Sequence, residues 1–137
     1  MNVKIKQVEG LTFIGKADTN HWVTVDGPEK FNGSDAASRP MELLLIALGS
    51  CTASDVASII KKMRFELNDF QVNVSGKRAQ DHPKVFTEIY LEYIFKGEDL
   101  KEEDIKKAIE LSQNKYCPII SMLNESVNIN YSFTVNG

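Results

Sequence analysis

Cysteine and histidine are the residues of this chain best suited to chemistry, and each occurs twice, at Cys51, Cys117, His21 and His82. None of these positions forms the close pair that a zinc knuckle uses, so their spacing argues against a bound metal. A permanent disulfide is not expected in a reducing compartment. The two cysteines are therefore either inert packing residues or a reactive pair, and that choice decides the function.

The first cysteine lies at a change in composition. A leucine-rich run gives way to small and hydroxylated residues over 49–54, which leaves room and hydroxyl donors beside the sulfur of Cys51. Asp55 follows four residues later and lies on the same face of a helix. Because a carboxylate disfavours a neighbouring thiolate, a reactive Cys51 needs a basic group from elsewhere in the fold.

The second cysteine lies between Lys115-Tyr116 and Pro118, at the predicted start of a short helix or turn. Backbone N–H groups at a helix start and a nearby lysine both favour a thiolate at Cys117. The two cysteines are far apart in the sequence, so only the tertiary fold can bring them together. Packing remains the alternative interpretation for both.

The histidines suggest a different class of enzyme, a Cys-His hydrolase. His21 adjoins Trp22 in a predicted strand, and His82 precedes Pro83 in a predicted turn. Either imidazole could activate a cysteine, but the sequence contains no nucleophile-elbow pattern and names no third member of a triad. This hydrolase stays an alternative.

Composition excludes several other functions. With 137 residues, 42% hydrophobic and 26% charged, the chain is expected to form one domain, 1–137. The net charge of −3 is not concentrated in any block, so neither nucleic acid nor a membrane surface is an expected partner. The start of the chain alternates charged with apolar residues and does not form a signal-peptide core, which predicts a cytoplasmic protein.

Hydrophobic periodicity predicts a mixed α and β chain. The central element is a long helix that begins at Ser38-Arg39-Pro40 and extends to about Lys62. Its first half is apolar nearly all round, so it must be buried centrally or against a second subunit. The other predicted elements are a three-strand antiparallel meander over 3–8, 11–14 and 22–25, a hairpin over 70–75 and 85–95, an amphipathic helix over 101–115, a short turn over 119–123 and a final strand over 127–135.

Two motifs occur together in this arrangement. The first is Pro-x-Glu-Leu-Leu-x-x-Ala-Leu-x-x-Cys over 40–51, and the second is Tyr116-Cys117-Pro118. With the order of strands and helices, they give the whole chain a resemblance to the OsmC/Ohr family of thiol-dependent peroxide-handling proteins. The resemblance implies an α+β fold in which antiparallel sheets wrap a long central Cys-bearing helix, in an intertwined homodimer.

The resemblance also implies a reaction. Cys51 would attack a hydroperoxide and become a sulfenic acid, which would condense with Cys117 to a disulfide. An external dithiol, lipoyl-linked in the organic-hydroperoxide branch, would restore both thiols, and no bound cofactor is implied. The expected substrate is a small hydroperoxide or another electrophile.

Two departures from the family pattern concern the residues that organise the thiolate. Peroxidase members carry glutamate ten positions before the cysteine, where this chain has Met41, and Glu42 is one place late. The usual N-terminal arginine is also missing, since Arg39 is the first arginine of the chain. Arg39, Glu42 and Asp55 are the candidate organisers that remain. The alternative function is a non-catalytic protein that binds a small apolar or thiol-reactive ligand at the dimer interface.

Overall fold

The computed structural model describes all residues, 1–137, and the chain forms two compact units, Met1–Leu44 and Leu45–Gly137. The first unit contains a three-stranded sheet, and the second contains a second three-stranded sheet with helices. The single domain over 1–137 stays a prediction.

The sheet of the first unit consists of β1 (Val3–Glu9), β2 (Thr12–Ala17) and β3 (Trp22–Val25). β2 pairs antiparallel with both neighbours, which confirms the predicted meander. The β1–β2 turn contains Gly10 at φ 54°, a left-handed conformation that glycine adopts without steric cost.

Strand register divides the side chains of this sheet between two faces. Ile5, Gly15 and Val23 lie directly opposite one another and therefore share a face, while Lys4 and Lys16 belong to the other. We call the first the apolar face of the meander. Its apolar side chains are those of Val3, Ile5, Phe13, Ala17, Val23 and Val25. No apolar side chain of Met1–Leu44 is buried, and Ile5 remains 61% exposed.

The loop after β3 is organised by one carboxylate. Asp26 is 2% exposed and accepts hydrogen bonds from the backbone N–H groups of Gly27 (2.7 Å), Ser34 (3.2 Å) and Ala36 (3.1 Å). Thr12 Oγ1 also donates to it, at 3.0 Å. Burial alone would raise the pKa of Asp26, but these donors outweigh it and hold the pKa below its ordinary 3.8.

Helix α1 (Pro40–Lys62) has the bounds that the sequence predicts. Its buried positions Leu48, Thr52, Val56 and Ile60 recur every four residues and contribute to the core of the second unit. α1 is also long enough and apolar enough to cross a membrane, with a mean hydropathy of 1.9 in its most apolar window. Helices in the core of a protein often meet the same two criteria.

The first half of α1 is not buried within this chain, which corrects one of the two placements that the sequence allowed. Residues 41–47 are half-buried or exposed, and Ile46 is 58% exposed. Central burial in the single chain is therefore wrong. The other placement, against a second subunit, stays a prediction.

The sheet of the second unit contains β4 (Asp69–Arg78), β5 (Phe86–Lys96) and β6 (Asn128–Val135), in that order. β4 and β5 form the predicted antiparallel hairpin, whereas β5 and β6 pair parallel. The expectation of wholly antiparallel sheets is therefore corrected for this pair. A parallel partner requires a long crossover, and the helices between β5 and β6 provide it.

That crossover contains α2 (Glu102–Leu111) and α3 (Pro118–Leu123). The predicted helix over 101–115 is divided, since regular α-helix ends at Leu111 and one wider turn continues over Ser112–Tyr116. The core of the second unit lies among α1, these helices and the sheet. Its buried apolar residues are Leu48, Val56, Ile60, Phe86, Ile89, Leu91, Tyr93, Phe95, Ile105, Ala108, Ile109, Cys117, Ile120 and Val127.

The hydrogen bonds of Asp26 predict a local loss of order when the carboxylate is neutralised. In Asp26→Asn, the amides of Gly27, Ser34 and Ala36 should exchange faster with solvent, because two anionic acceptor oxygens are replaced by one neutral oxygen. Amide hydrogen exchange measures this. The exposed carboxylate of Asp18 provides the matched control, Asp18→Asn.

The difference in amide exchange between Asp26→Asn and the natural chain should depend on pH. Because the pKa of Asp26 is lowered in the folded chain, its stabilisation is present above pH 3.8 and is lost as pH falls through the lower folded value. The excess exchange of Asp26→Asn over the natural chain should therefore disappear in strong acid. Equal protection of these amides in Asp26→Asn and in the natural chain at neutral pH would contradict the role given to Asp26.

Candidate functional site

Two free thiols that are distant in sequence meet in the second unit. Cys51 lies in the middle of α1 and Cys117 immediately before α3. Together with a carboxylate oxygen of Asp55, their sulfur atoms all lie within 4.8 Å of one another. We call these three residues the thiol–carboxylate cluster. Of the predicted site residues, the fold brings these three together.

A wide helical turn positions the second thiol. The backbone N–H of Cys117 donates to the carbonyl of Ser112, five residues earlier, at 2.9 Å. Such π-type turns insert one residue into a helix and change the direction of the side chains that follow. Pro118 then begins α3, for which Cys117 is the N-cap residue.

Burial dominates the chemistry of this thiol. Cys117 is 2% exposed, and its burial, with a further contribution from neighbouring Cys51, raises its pKa to about 11. The N–H of Ile120 points at its sulfur at 3.5 Å and opposes this rise. The N–H groups of the helix start therefore favour the thiolate of Cys117 as predicted, but burial outweighs them in the folded chain. The ammonium of Lys115 lies over the ring of Tyr116.

Asp55 is held by a chain of buried hydroxyl groups. Ser112 Oγ donates to Asp55 Oδ2 at 3.0 Å. Thr52 Oγ1 lies 2.8 Å from Ser112 Oγ and 2.7 Å from Tyr93 Oη. Gln113 Nε2 donates to Tyr93 Oη at 2.9 Å. We call these side chains the hydroxyl chain.

The positions of the protons in the hydroxyl chain follow from the number of hydrogens that each group can donate. Each hydroxyl has one hydrogen, and that of Ser112 is used on Asp55. Thr52 must therefore donate to Ser112, and Tyr93 must donate to Thr52. Burial raises the pKa of Tyr93, which keeps its phenol protonated and able to donate. One free oxygen, Asp55 Oδ1, remains available to the sulfur atoms.

The other two candidate organisers lie in the first unit. The guanidinium of Arg39 pairs with Asp35 and donates to the carbonyl of Ala37, and the backbone N–H of Arg39 donates to Glu42 Oε1 at 2.8 Å. Glu42 therefore caps the start of α1. No ion pair joins Asp55 to any lysine or arginine of the chain.

The histidines do not support the hydrolase alternative. His21 lies in the first unit, and His82 lies exposed in the β4–β5 turn, where it precedes Pro83. Neither imidazole makes a hydrogen bond to Cys51 or Cys117, and the cluster around the thiols contains no histidine.

A pocket of about 280 Å³ opens beside Asp55. Its walls are mainly apolar, and Asp55 and Lys62 supply its charged groups. The lining residues are Asp55, Ser58, Ile59, Lys62, Leu111 and Tyr116. The pocket therefore adjoins the thiol–carboxylate cluster and has room for a small, largely apolar molecule.

The structure adds residues that the motifs did not identify, chiefly Tyr93, Ser112 and Gln113. One signal for Ser112 was present in the sequence, because it is a polar residue in the apolar stripe of the second helix and buried polar groups need partners. Tyr93 gave no such signal, since it continues the apolar pattern of β5.

Comparisons with known proteins agree with this architecture. A family model described as OsmC-like protein matches residues 33–132. Protein YhfA of Escherichia coli K12 is 41% identical over 135 residues, which cover 98% of both chains. A hypothetical protein from Aquifex aeolicus VF5 has 32% sequence identity with this chain, and its crystal structure matches with a TM-score of 0.84. The match covers 99% of this chain and 97% of that one.

A more distant solved structure extends the comparison to the fold. The organic hydroperoxide resistance protein OsmC of Legionella pneumophila matches with a TM-score of 0.74 at 15% identity, over 98% of this chain and 96% of that one. This likeness shows the α+β fold alone. The family model and the two nearer relatives establish more: the chain belongs to the OsmC-like family.

Proposed function

We propose that this protein reduces small organic hydroperoxides with its two thiols. The observation that carries the proposal is the approach of the free Cys51 and Cys117 sulfurs, distant in sequence, to within 4.8 Å of each other. Membership of a family that includes proteins named for organic hydroperoxide resistance supports the substrate class.

The difference in exposure between the two thiols supports the roles that we propose for them. Cys51 is half-buried and accessible to solvent, whereas Cys117 is almost completely buried. Cys51 therefore attacks the terminal oxygen of the hydroperoxide. The O–O bond breaks, the sulfur becomes a sulfenic acid, and the alcohol leaves.

Asp55 carries the proton in this step. As the sulfur–oxygen bond forms, the thiol proton of Cys51 passes to the free oxygen of Asp55 and then to the departing alkoxide. The hydroxyl chain holds the carboxylate in place through Ser112. This arrangement does not need an N-terminal arginine, which the chain lacks before Arg39.

Cys117 resolves the sulfenic acid. Its sulfur attacks the sulfur of Cys51, a water molecule leaves with the thiol proton, and a disulfide forms. The two sulfurs must approach to about 2 Å for this bond, which the short α3 segment has to permit. An external dithiol, lipoyl-linked or of another kind, then reduces the disulfide by exchange. This chemistry fits a reducing compartment, the cytoplasm.

The pocket beside Asp55 favours a second candidate function, the binding of a small apolar or thiol-reactive ligand without turnover. Its apolar lining accepts such a molecule whether or not the thiols react. The two functions are separated by whether hydroperoxide is consumed repeatedly in the presence of a dithiol.

Replacement of each cysteine should produce a different defect. Cys51→Ser should abolish hydroperoxide consumption, because the attacking sulfur is gone. Cys117→Ser should react once and accumulate a sulfenic acid that a dimedone probe traps and excess oxidant over-oxidises. Peroxide assays and intact-mass spectrometry measure both outcomes. Full activity in Cys51→Ser would refute the proposal.

The role of Asp55 has its own test. Asp55→Asn should lower kcat by about a hundredfold, the usual size of a lost proton-transfer group. Asp81→Asn, at an exposed turn, is the matched control and should leave kcat unchanged. Equal kcat values for the two variants would show that Asp55 does not carry the proton.

Alkylation should distinguish the thiols by pH. At neutral pH, iodoacetamide should label Cys51 first, because the pKa of Cys117 is about 11 and its thiolate fraction falls about tenfold for each pH unit below that value. The rate at Cys117 should therefore rise steeply as pH increases towards 11. Peptide mass spectrometry measures both rates. Equal rates in the folded protein, with the urea-unfolded protein as reference, would contradict the assignment.

We further propose that the working form is a homodimer. In the single chain, Val3, Ile5 and Val23 on the apolar face of the meander are exposed, and residues 41–47 of α1 are half-buried or exposed. Surfaces of this kind are rarely left in water by a stable monomer, and a second copy would cover them. The dimer is also what the family resemblance implies.

Charge placed on each face of the meander should test this dimer. Val23→Glu puts a carboxylate on the apolar face, whereas Thr24→Glu, on the opposite face of the same strand, is its matched control. Sedimentation should show a dimer for the natural chain and for Thr24→Glu, and a monomer for Val23→Glu. A monomeric natural chain at micromolar concentration would refute the dimer.

A further inference from the structure

The thiol–carboxylate cluster has the donor set of a transition-metal site. It is the one group of three or more cysteine, histidine or acidic residues in 1–137 whose ligand atoms all lie within 4.8 Å. Ligands around Zn²⁺ lie about 2.0–2.3 Å from the ion, which puts neighbouring donors of a tetrahedron about 3.5–4 Å apart. Since the three donors lie within 4.8 Å of one another, each pair needs to close by at most about 1.3 Å to share one ion.

The charges of the cluster also fit a cation. Two thiolates and a carboxylate carry three negative charges when the thiols lose their protons. None of the ion pairs of the chain includes Asp55, so no lysine or arginine lies within ion-pair distance of this carboxylate. A divalent ion between the three donors supplies the missing positive charge.

Hydrogen bonds already orient two of the three donors. Ser112 Oγ donates to Asp55 Oδ2 and leaves Oδ1 free, while the N–H of Ile120 points at the sulfur of Cys117. Protein ligands of metals commonly have such outer partners, which fix their direction. Here Ser112 is in turn held by Thr52, and Thr52 by Tyr93.

We propose that the reduced protein binds one Zn²⁺ per chain through Cys51 Sγ, Cys117 Sγ and the Asp55 carboxylate. Thiolate ligands select a soft or borderline ion over Mg²⁺ or Ca²⁺. Three protein ligands leave a fourth position for a water molecule, as in other zinc sites with three protein ligands. This binding requires reduced thiols but no hydroperoxide, so it stands apart from the proposed redox function.

The sequence analysis argued against a bound metal because it considered only cysteine and histidine residues that are close together in the sequence. The proposed site uses one carboxylate, Asp55, from the helical turn after Cys51, and one thiol, Cys117, from a distant part of the chain. Only the folded chain makes that set visible.

Spectroscopy with Co²⁺ and competition with a chromophoric chelator for Zn²⁺ test the site in the reduced full-length protein. Co²⁺ should produce tetrahedral d–d bands and an intense thiolate-to-metal band at one ion per chain. Cys51→Ser and Cys117→Ser should each weaken Zn²⁺ binding by at least about a hundredfold, and Asp55→Asn by at least about tenfold. Asp81→Asn should bind as the natural chain does.

Several results would overturn the proposal. Co²⁺ that binds without a thiolate band would show an adventitious ion only. Zn²⁺ affinity that is the same in Cys51→Ser and the natural chain would exclude the thiols as ligands. Circular dichroism confirms that each variant is folded, so a lost site cannot be mistaken for a lost fold.

Bound zinc and the disulfide exclude each other, which adds a readout independent of peroxide chemistry. A diazene oxidant such as diamide takes two electrons from the two thiolates and two protons from water. The products are the Cys51–Cys117 disulfide, the hydrazine and free Zn²⁺. One equivalent should release one zinc per chain from the natural protein. Zinc that stays bound after the disulfide has formed would refute the assignment of the ligands, whatever the activity towards hydroperoxides.

Discussion

The buried hydroxyl of Thr52 is the interaction on which the arrangement of the site depends. It joins β5, through Tyr93, to the end of the second helix, through Ser112, and it lies one residue after Cys51. A buried hydroxyl that loses its partners costs about 1–3 kcal/mol, so this contact fixes how α1 sits against the sheet and the crossover. The positions of Asp55 and of both sulfurs follow from that placement.

The crossover segment serves packing and chemistry together. Ile105, Ala108 and Ile109 anchor α2 in the core, and the wide turn after them changes the direction of the chain. Without the extra residue of this wide turn, the side chains that follow it would be rotated once, by about 100° around the helix axis, relative to this geometry. The irregular turn is thus what directs Cys117 at α1.

The bounds of most elements could be predicted from the sequence, because periodicity and capping are local properties. Pro40 and Lys62 bound α1 as expected, and β3 is predicted to the residue. The parallel pairing of β6 could not be predicted, since register between distant strands depends on the whole crossover. The motifs located Cys51 and Cys117, whereas the roles of Tyr93 and Gln113 became apparent only from their contacts in the folded chain. Arg39 and Glu42 were candidates because of their charge, but both make local hydrogen bonds at the start of α1.

The parallel β5–β6 pair has a consequence for how the protein is made. Its last strand, β6, follows the helices of the crossover, and the Cys117 segment lies inside that connection. During synthesis, Cys51 leaves the ribosome well before Cys117 and the elements that surround it, and it remains an unshielded thiol until those elements have emerged. The long sequence separation of these contacts also favours slow folding. A newly made chain therefore passes through a stage in which Cys51 depends on the reductants of the cell rather than on its own partner.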